Sequence, residues 1–542
     1  MIKKKKNNKK SILAGLIIFF LYLFFSLATI NDYGITLDTP IEIIGGNTII
    51  NYYQHINEQT TTSMKFAILN QFFQPLKFSS LLSASSSKIL FDRFHFLERD
   101  ASYHLPIIII SSLTLILIFF FVLKEAGFKT AVFSSLFFAL YPRLFVDMHN
   151  NLKDPPSMFA SFLCYYMVFY YIKHKKVFYL IMSAIAFALA FNSKLYNIFI
   201  PLVIIIWFFA NRIKPWNKRS RFEILKHSLI FLIVFLLFLN ILNPIYWKEL
   251  YILEISKNKI QNFLPQPTIY FGEIGLSTKL PFHYPFIMLG ITTPPIILFF
   301  LILGIITISK QLLNQKNNLF NSLVLLGFFI PILKYSLLHI SIFNGTRHLM
   351  DSFPFLFIIS GIGASKIYSF ITTKFKIVIH NNMIIKIFVN LIFVIFFLFT
   401  LLPIIKYHPY QHTYYNFLTG GLKGAENKFE IEYWGSSYKE GCDWINKNIE
   451  PNAIIFVIVN TGMAEFYLNS SYNIQNLEKK SQLNRTDTFY IITPKMKHQP
   501  NWIKFIPEIE KNNKPIYSIK RLGISLFDIY RINKTINNNS NI

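Results

Sequence analysis

Acidic residues and cysteines are scarce in this chain. Of its 542 residues only 27 are Asp or Glu, against 54 Lys or Arg, and charged residues make up 15% of the total. Its two cysteines, Cys164 and Cys442, lie far apart in dissimilar surroundings and offer neither a disulfide framework nor a thiolate metal site. A chain so poor in charge cannot cover the surface of a soluble globular protein of this length.

Apolar residues, in contrast, make up 53% of the chain and occur in blocks long enough to cross a bilayer. A hydrocarbon core needs about 20 apolar residues per helix, so about eleven such blocks predict an all-α polytopic membrane protein. The predicted spans are 11–30, 106–123, 127–141, 157–172, 177–191, 197–211, 228–246, 286–308, 319–340, 350–366 and 386–405. The short blocks 127–141, 177–191 and 197–211 give the weakest signal.

Membrane orientation explains the excess of basic residues. The start MIKKKKNNKK is also typical of a signal peptide, but the apolar run after it exceeds the ordinary signal core of about 7–15 residues, which favours a retained helix. Loops of one parity collect the bases, and this pattern places the N-terminus in the cytoplasm and argues against a nucleic-acid partner. These bases are Lys3 to Lys6, Lys9, Lys10, Lys124, Lys129, Lys173, Lys175, Lys176, Arg212, Lys214, Lys218, Arg219, Arg221, Lys226, Lys310, Lys316, Lys366, Lys374 and Lys376.

This orientation divides the chain into four parts. Residues 1–10 form a cytoplasmic basic tail, and residues 11–405 form the transmembrane domain, whose first outer loop is 31–105. Residues 406–535 predict a small extracytoplasmic α/β domain, because they mix strand-like runs at 453–459, 488–493 and 524–532 with a helical stretch around 438–448. The Asn-rich end, 536–542, is predicted to be disordered.

The stretch LDTPIEIIGG, which begins at Leu37, follows the first span. Thr39 suits a helix N-cap, Pro40 suits the first turn, and Glu42 completes a capping box. This structural interpretation leaves Asp38 unexplained, apart from a modest attraction to the helix dipole. Asp38 is therefore a candidate functional residue.

A second outer stretch, YPRLFVDMHNNLKDPPSM from Tyr141, is dense in ionisable residues. Arg143, Asp147, His149, Lys153 and Asp154 lie within twelve positions, and ionisable groups between membrane helices generally mark function. Asp154 before a proline also suits a helix start, and an isolated Arg is a common interfacial anchor. Capping of one residue does not account for all five.

Later outer loops add cations and hydrogen-bonding groups. These residues are Lys194, Lys279, His283, Tyr284, Arg347 and His348. A lone Lys commonly extends to the headgroups, whereas Arg also suits bidentate contacts with phosphate. Acids in the first two loops and cations in the later ones predict a single site for an anionic, lipid-borne substrate.

Five motifs in this order resemble the membrane-embedded GT-C glycosyltransferases, and most closely the bacterial form of glycosyltransferase family 39, the dolichyl-phosphate-mannose–protein mannosyltransferase-like group. They cover about residues 10 to 450. The motifs are GITLDTPIEIIGG, PRLFVDMHNNLKDPPSM, STKLPFHYPFIMLGITTP, FNGTRHLMDSFPFLFIISGIG and YHPYQHTYYNFLTGGLKGAENKFEIEYWGSSYKEGCDWIN.

The resemblance implies transfer of a sugar from a polyprenyl-phosphate donor to an acceptor hydroxyl at the outer face of the cytoplasmic membrane, with inversion. It makes Asp38 the general base and gives Asp154 the task of orienting the acceptor or the first-loop helix. The leaving phosphate is assigned to Lys194, Lys279, Arg347 and His348, and further substrate contacts to Arg143, His149, His283 and Tyr284. The sugar and the acceptor (protein, lipid or polysaccharide) stay open.

This sequence has Thr39 where the commonest family pattern has an acid after the Asp. The difference weakens any scheme with paired carboxylates or a bridging metal at Asp38. Some GT-C enzymes hold a divalent metal, but His55, His104, His149 and His283 show no ligand spacing that would predict one. We expect no obligatory metal.

Two other classes of function remain open. A polytopic lipid or sugar transporter or flippase usually has paired repeats and broken helices near the midplane, and neither is evident in the sequence. A non-catalytic membrane assembly protein would keep the spans without needing Asp38. Transfer of a preassembled glycan is a variant within the same fold.

Overall fold

The computed structural model describes residues 2–54, 77–211, 218–242, 265–316, 318–338, 340–378, 382–483, 485 and 487–533. The predicted disordered tail 536–542 and part of the first outer loop lie outside the described residues.

Each of the predicted spans coincides with at least one helix. The helices of this part of the chain are α1 Ile2–Ala28, α2 Thr39–Gln54, α3 Phe78–Ser87, α4 Arg99–Glu125, α5 Phe128–Ala139, α6 Pro142–Asn150, α7 Asp154–His174, α8 Val177–Ser193, α9 Ile200–Ala210, α10 Lys218–Leu242, α11 Tyr284–Thr292, α12 Pro295–Leu313, α13 Asn318–Leu337, α14 Phe353–Val378 and α15 Asn382–Tyr407. The long apolar runs form helices because each one satisfies its own backbone hydrogen bonds, as a lipid environment requires.

Seven stretches of the described chain are long and apolar enough to cross a membrane alone. An eighth is the pair α5 and α6, which bend by 67° where Pro142 begins the second helix. The other two blocks with a weak sequence signal form shorter apolar helices, Val177–Ser193 and Leu195–Ala210. The polytopic helical fold is therefore confirmed, and fewer helices than predicted meet the length and composition of a complete span.

The helices differ in how much protein covers them. In the apolar window of Arg99–Glu125, 61% of the residues are buried, against 6% for Leu225–Leu242 and 17% for Lys9–Asp32. The poorly covered helices expose leucine, isoleucine and phenylalanine side chains that water would not tolerate but lipid does. Helix α4 is thus central, and α1 and α10 are peripheral.

After α15 the chain forms an α/β unit, as predicted. Its sheet has five strands in the order β4-β3-β5-β7-β6, in which β3 is parallel to β4 and β5 while β7 is antiparallel to β5 and β6. The strands are β3 Ile454–Val457, β4 Asn473–Asn476, β5 Phe489–Pro494, β6 Tyr517–Arg521 and β7 Ile524–Ile532. The helices are α16 Gly421–Ala425, α17 Tyr438–Asn448, α18 Thr461–Tyr467 and α19 Pro500–Asn512.

A separate hairpin joins this unit to the helical domain. It consists of β1 Pro267–Tyr270 and β2 Glu273–Leu276, which pair antiparallel. Tyr270 also forms an isolated bridge with Phe429, at the start of the segment that leads into α17. The loop before α11 and the C-terminal unit are therefore in direct contact.

Candidate functional site

Asp38 lies at the start of α2, one position nearer the helix than the capping box predicted. Its carbonyl accepts the first helical hydrogen bond from Glu42 N at 3.1 Å, so Asp38 itself is the cap residue. The Thr39 hydroxyl bonds to Thr36 instead, and the Glu42 carboxylate contacts Lys77 and Ser80. The capping-box prediction was wrong, because buried partners elsewhere take the side chains that were expected to close the helix end.

The Asp38 carboxylate contacts two cations from distant parts of the chain. Its Oδ2 lies 2.6 Å from Lys153 Nζ and 2.8 Å from Arg347 Nη1. The Asp38 side chain is 30% exposed, whereas those of Lys153 and Arg347 are 10% and 4% exposed. The acid is therefore the accessible member of this group, which we call the Asp38 cluster (Asp38, Lys153 and Arg347).

These two cations control the ionisation of Asp38. Burial acts to raise the pKa of the carboxyl, but Lys153 and Arg347 outweigh burial and hold the pKa well below its usual range. Asp38 is thus a carboxylate at neutral pH. As long as both ion pairs persist it is a weak base, because base strength falls with pKa.

A second ion pair adjoins the Asp38 cluster. Asp154 Oδ1 lies 2.6 Å from Lys194 Nζ, and Oδ2 accepts from Asn151 Nδ2 at 2.8 Å. Burial acts to raise the pKa of Asp154, but Lys194, Arg347 and Lys153 together outweigh burial, so the carboxyl has a pKa below its usual range. Asp154 begins α7 as predicted, but its carboxylate bonds to these side chains.

Two aromatic rings lie close to the Arg347 guanidinium. Its Cζ lies 4.9 Å from the ring centroid of Phe343 and 4.6 Å from that of Trp434. Nη1 donates to Asp38, while Nε has no hydrogen-bond partner within the described residues. His348 is also buried, and the described part of the chain offers no hydrogen-bond partner to either ring nitrogen. Arg347 therefore has a fixed plane and an unused donor.

Two residues predicted to bind substrate, Arg143 and His149, instead contact other parts of the protein. Arg143 is buried, its Nε donates to Tyr414 O at 2.9 Å, and its guanidinium lies 4.5 Å from the ring of Tyr415. His149 is also buried, with Nδ1 2.7 Å from Phe145 O and Nε2 3.2 Å from Thr29 Oγ1. Both residues connect α6 to other segments, and neither forms an ion pair with the acids of the site.

The loop before α11 lies against the C-terminal unit rather than against Asp38. Tyr284 is buried beside Tyr270, with ring centroids 5.0 Å apart, and the His283 ring is 5.8 Å from the same tyrosine. Lys279 is exposed, and its side chain makes no ion pair within the described residues. Of the predicted residues, the structure thus brings Asp38, Asp154, Lys194, Arg347 and His348 together.

Sequence reasoning did not assign a role to two residues of the site. Lys153 lies in the stretch that is dense in ionisable residues, and its position next to Asp154 could have identified it as a candidate site residue. Trp434 stood in a motif of the resemblance, but nothing in its local sequence indicated contact with Arg347, 87 positions earlier by numbering. Within the residues that the structure describes, no three His, Cys, Asp or Glu side chains are grouped to hold a metal ion.

A small cavity, with room for about one water molecule, lies between α7, the segment after α8, and α13. Asn197 on its wall donates to Ser157 Oγ at 2.9 Å, and Ser157 Oγ donates to Asp351 at 3.3 Å. Lys334 also lines the cavity, among apolar and aromatic side chains. The walls of this cavity are mostly apolar, and the cavity is too small to hold a lipid chain.

The sequence and the fold were compared with those of known proteins. The sequence profile of the family described as dolichyl-phosphate-mannose-protein mannosyltransferase matches residues 94–242. Among solved structures, ArnT from Cupriavidus metallidurans in the apo state is similar, with 11% identity, a TM-score of 0.51 and coverage of 98% of each chain. No curated protein sequence is significantly similar to the chain.

A weaker structural similarity involves the archaeal oligosaccharyltransferase AglB from Archaeoglobus fulgidus, in complex with an inhibitory peptide and a dolichol-phosphate. Identity is 10%, the TM-score is 0.48, and the match covers 95% of this chain and 74% of that one. The family resemblance drawn from the sequence is thus confirmed over residues 94–242, and the match to ArnT gives the fold. The chain is thus a multi-pass membrane protein with a fold similar to that of ArnT, and its residues 94–242 match the mannosyltransferase family.

Proposed function

We propose that this GT-C protein, with its segment of the dolichyl-phosphate-mannose-protein mannosyltransferase family, transfers a hexosyl or pentosyl group from a polyprenyl-phosphate donor to an acceptor hydroxyl. Transfer takes place at the outer face of the cytoplasmic membrane and inverts the anomeric centre. The C-terminal α/β unit lies on that same face. The family description supports the lipid-phosphate donor.

The observation that carries this proposal is an accessible carboxylate held between buried cations. The Asp38 side chain is 30% exposed, and the buried side chains of Lys153 and Arg347 form ion pairs with it. In the contacts of the two neighbouring ion pairs, three cations meet two acids, and an incoming phosphate can share these cations. Fixed cations at this place stabilise the charge that develops on a departing phosphate.

The arrangement gives a balanced transfer step. The acceptor oxygen attacks the anomeric carbon, the bond from that carbon to the phosphate oxygen breaks, and the polyprenyl phosphate leaves with the electron pair. The hydroxyl proton passes to Asp38. Donor binding prepares this base, because phosphate oxygens that share Lys153 and Arg347 weaken their hold on Asp38 and raise its pKa towards the range of a useful base.

The second ion pair completes the donor-phosphate site. Lys194, held by Asp154, supplies a further cation next to the phosphate. Asp154 acts as a positioning residue for Lys194 and for the start of α7, and the chemistry needs no metal.

The test is the variant Asp38→Asn, assayed in membranes with radiolabelled polyprenyl-phosphate sugars. Loss of the base is expected to reduce transfer about 10²–10⁴-fold. The matched control is Asp32→Asn, because Asp32 lies on the same loop and its ion pair with His408, at 2.9 Å, does not involve the Asp38 cluster. Full transfer by Asp38→Asn removes the base assignment, and absence of label transfer from every such donor by the unaltered protein contradicts the proposed function.

A further inference from the structure

Trp434 connects three segments of the site through one side chain and its own backbone. Its carbonyl accepts from Leu37 N at 2.8 Å, next to Asp38. Its indole Nε1 donates to Asp147 Oδ1 at 3.2 Å, and its ring covers one face of Arg347. A residue of the C-terminal segment therefore contacts the Asp38 loop, helix α6 and the Arg347 segment together.

The turn that carries Trp434 is held by a buried acid. The Glu432 carboxylate accepts from Trp434 N at 3.0 Å, from Gly435 N at 2.8 Å and from Ser437 Oγ at 3.2 Å. Gly435 has a φ of +71°, in the left-handed region that favours glycine. The turn has therefore a defined shape, and the indole it presents has little freedom to move.

The Asp38 loop fits closely against this turn. A Cβ atom on Gly34 would lie 2.6 Å from Ser436 O, which is a backbone atom that cannot easily move away. Together with the hydrogen bond from Leu37 to Trp434, this contact fixes the backbone on both sides of residues 35 and 36. The loop that ends in Asp38 therefore takes its position from the C-terminal segment.

An ordinary core tryptophan would account for burial but not for these contacts. The indole N–H is the nearest hydrogen-bond donor to the buried Asp147 carboxylate, which has no ion-pair partner within the described residues. The Trp434 ring also contacts the guanidinium of Arg347, as the Phe343 ring does. Stacking on aromatic rings restricts the plane in which an Arg offers its donors to phosphate.

We infer that Trp434 is a positioning residue of the transfer centre: it sets the plane of Arg347 and the place of the Asp38 loop, so that the segment after the last membrane helix completes the donor-phosphate site. The inference rests on the proposed function. It makes the α/β unit part of the site, and it distinguishes this unit from a passive cover.

The experiment compares Trp434→Ala and Trp434→Phe in the full-length purified protein. Trp434→Phe keeps a ring over Arg347 and loses the N–H, whereas Trp434→Ala loses both. The control is Trp444→Ala, since Trp444 belongs to the same unit and stacks on Tyr517 at 4.7 Å, away from Arg347. The readouts are KM for donor and for acceptor, and hydrogen exchange of the peptide that contains Leu37.

We expect Trp434→Ala to reduce kcat/KM for the donor about 10²-fold, since a small misplacement of a binding group has effects of that size. Trp434→Phe recovers most of this loss, and the acceptor KM stays within about twofold. Exchange at Leu37 increases in Trp434→Ala and not in Trp444→Ala. If Trp434 were only structural, Trp434→Ala would instead lower kcat/KM for the donor and for the acceptor equally. Trp444→Ala would then give the same losses.

The exchange measurement separates this inference from the proposed function, because it needs no substrate. Unchanged exchange at Leu37 in Trp434→Ala would overturn the inference even if transfer is observed. Increased exchange in a protein that transfers no sugar would support the clamp on the Asp38 loop and contradict the proposed function.

Discussion

The ion pairs at the two ends of helix α7 differ in which partner, the acid or the cation, is exposed. At the first end, Asp38 is 30% exposed and its cations, Lys153 and Arg347, are buried. At the second end, Glu125 is 5% exposed and its partner Lys173 is 38% exposed, with 2.7 Å between them. The two ends are about 30 Å apart, from the rise of a 21-residue helix.

This difference separates a binding arrangement from a structural one. An exposed Lys that pairs with a buried acid neutralises that acid. The pair then offers no unpaired charge to a ligand, because the Lys ammonium group is hydrated by solvent in any case. Buried cations behind an exposed acid have already lost their hydration, and they gain by meeting a second anion. The first end is therefore suited to phosphate, and the second end to holding α4 against α7.

The largest effect is expected from removing the buried cation. Arg347→Ala should reduce kcat/KM for the polyprenyl-phosphate donor about 10²–10³-fold, as the loss of a fixed charge-stabilising donor does in other enzymes. Lys173→Ala, at the other end, should leave kcat/KM within about threefold of that of the unaltered protein, since Lys173 lies about 30 Å from the Asp38 cluster. Equal losses in the two variants, in steady-state assays of purified protein, would remove the distinction between the ends.

The next effect concerns stability. Lys194→Met leaves the buried Asp154 carboxylate without its cation, a change that costs about 3–5 kcal/mol for buried pairs. Lys279→Met is the matched control, because Lys279 is exposed and is expected to cost less than about 0.5 kcal/mol. Thermal unfolding in detergent measures both, and a stable Lys194→Met variant would show that Asp154 does not need this partner.

A smaller effect is expected from pH. The folded pKa of Asp38 lies below that of the unfolded chain, so its ion pairs stabilise the fold above the unfolded value and this contribution is lost as pH falls below it. The unaltered protein should therefore be more stable than Asp38→Asn at pH 7, and the difference should narrow as pH approaches 3. Parallel melting curves for the two proteins across this range would exclude the ion pairs as a source of stability.

The smallest effect is expected from chelation. Transfer by protein treated with EDTA should equal that of untreated protein, since we propose that cationic side chains supply the charge at the phosphate. Restoration of a lost activity by Mn²⁺ or Mg²⁺, with Ca²⁺ and a metal-free mock treatment as controls, would instead require a metal site.

Much of the fold could be predicted from the sequence, and less of the site. The spans, the strands from Ile454, Phe489 and Ile524, and the helix from Tyr438 follow from local patterns of apolar residues. The capping box failed because Glu42 finds Lys77 and Ser80, which the local sequence does not reveal. The sequence also could not predict which of the candidate cations lie near Asp38, because Lys279 and Arg347 have similar local sequence surroundings.

The sequence alone therefore determined that the chain is a helical membrane protein and that an α/β unit follows. These properties are local, since periodicity and turn chemistry act over a few residues. Only the tertiary structure decided which groups meet Asp38. Arg347 is 309 positions away, and Trp434 joins them from beyond the last membrane helix. Such contacts arise where separate helices pack, and no short stretch of sequence encodes that geometry.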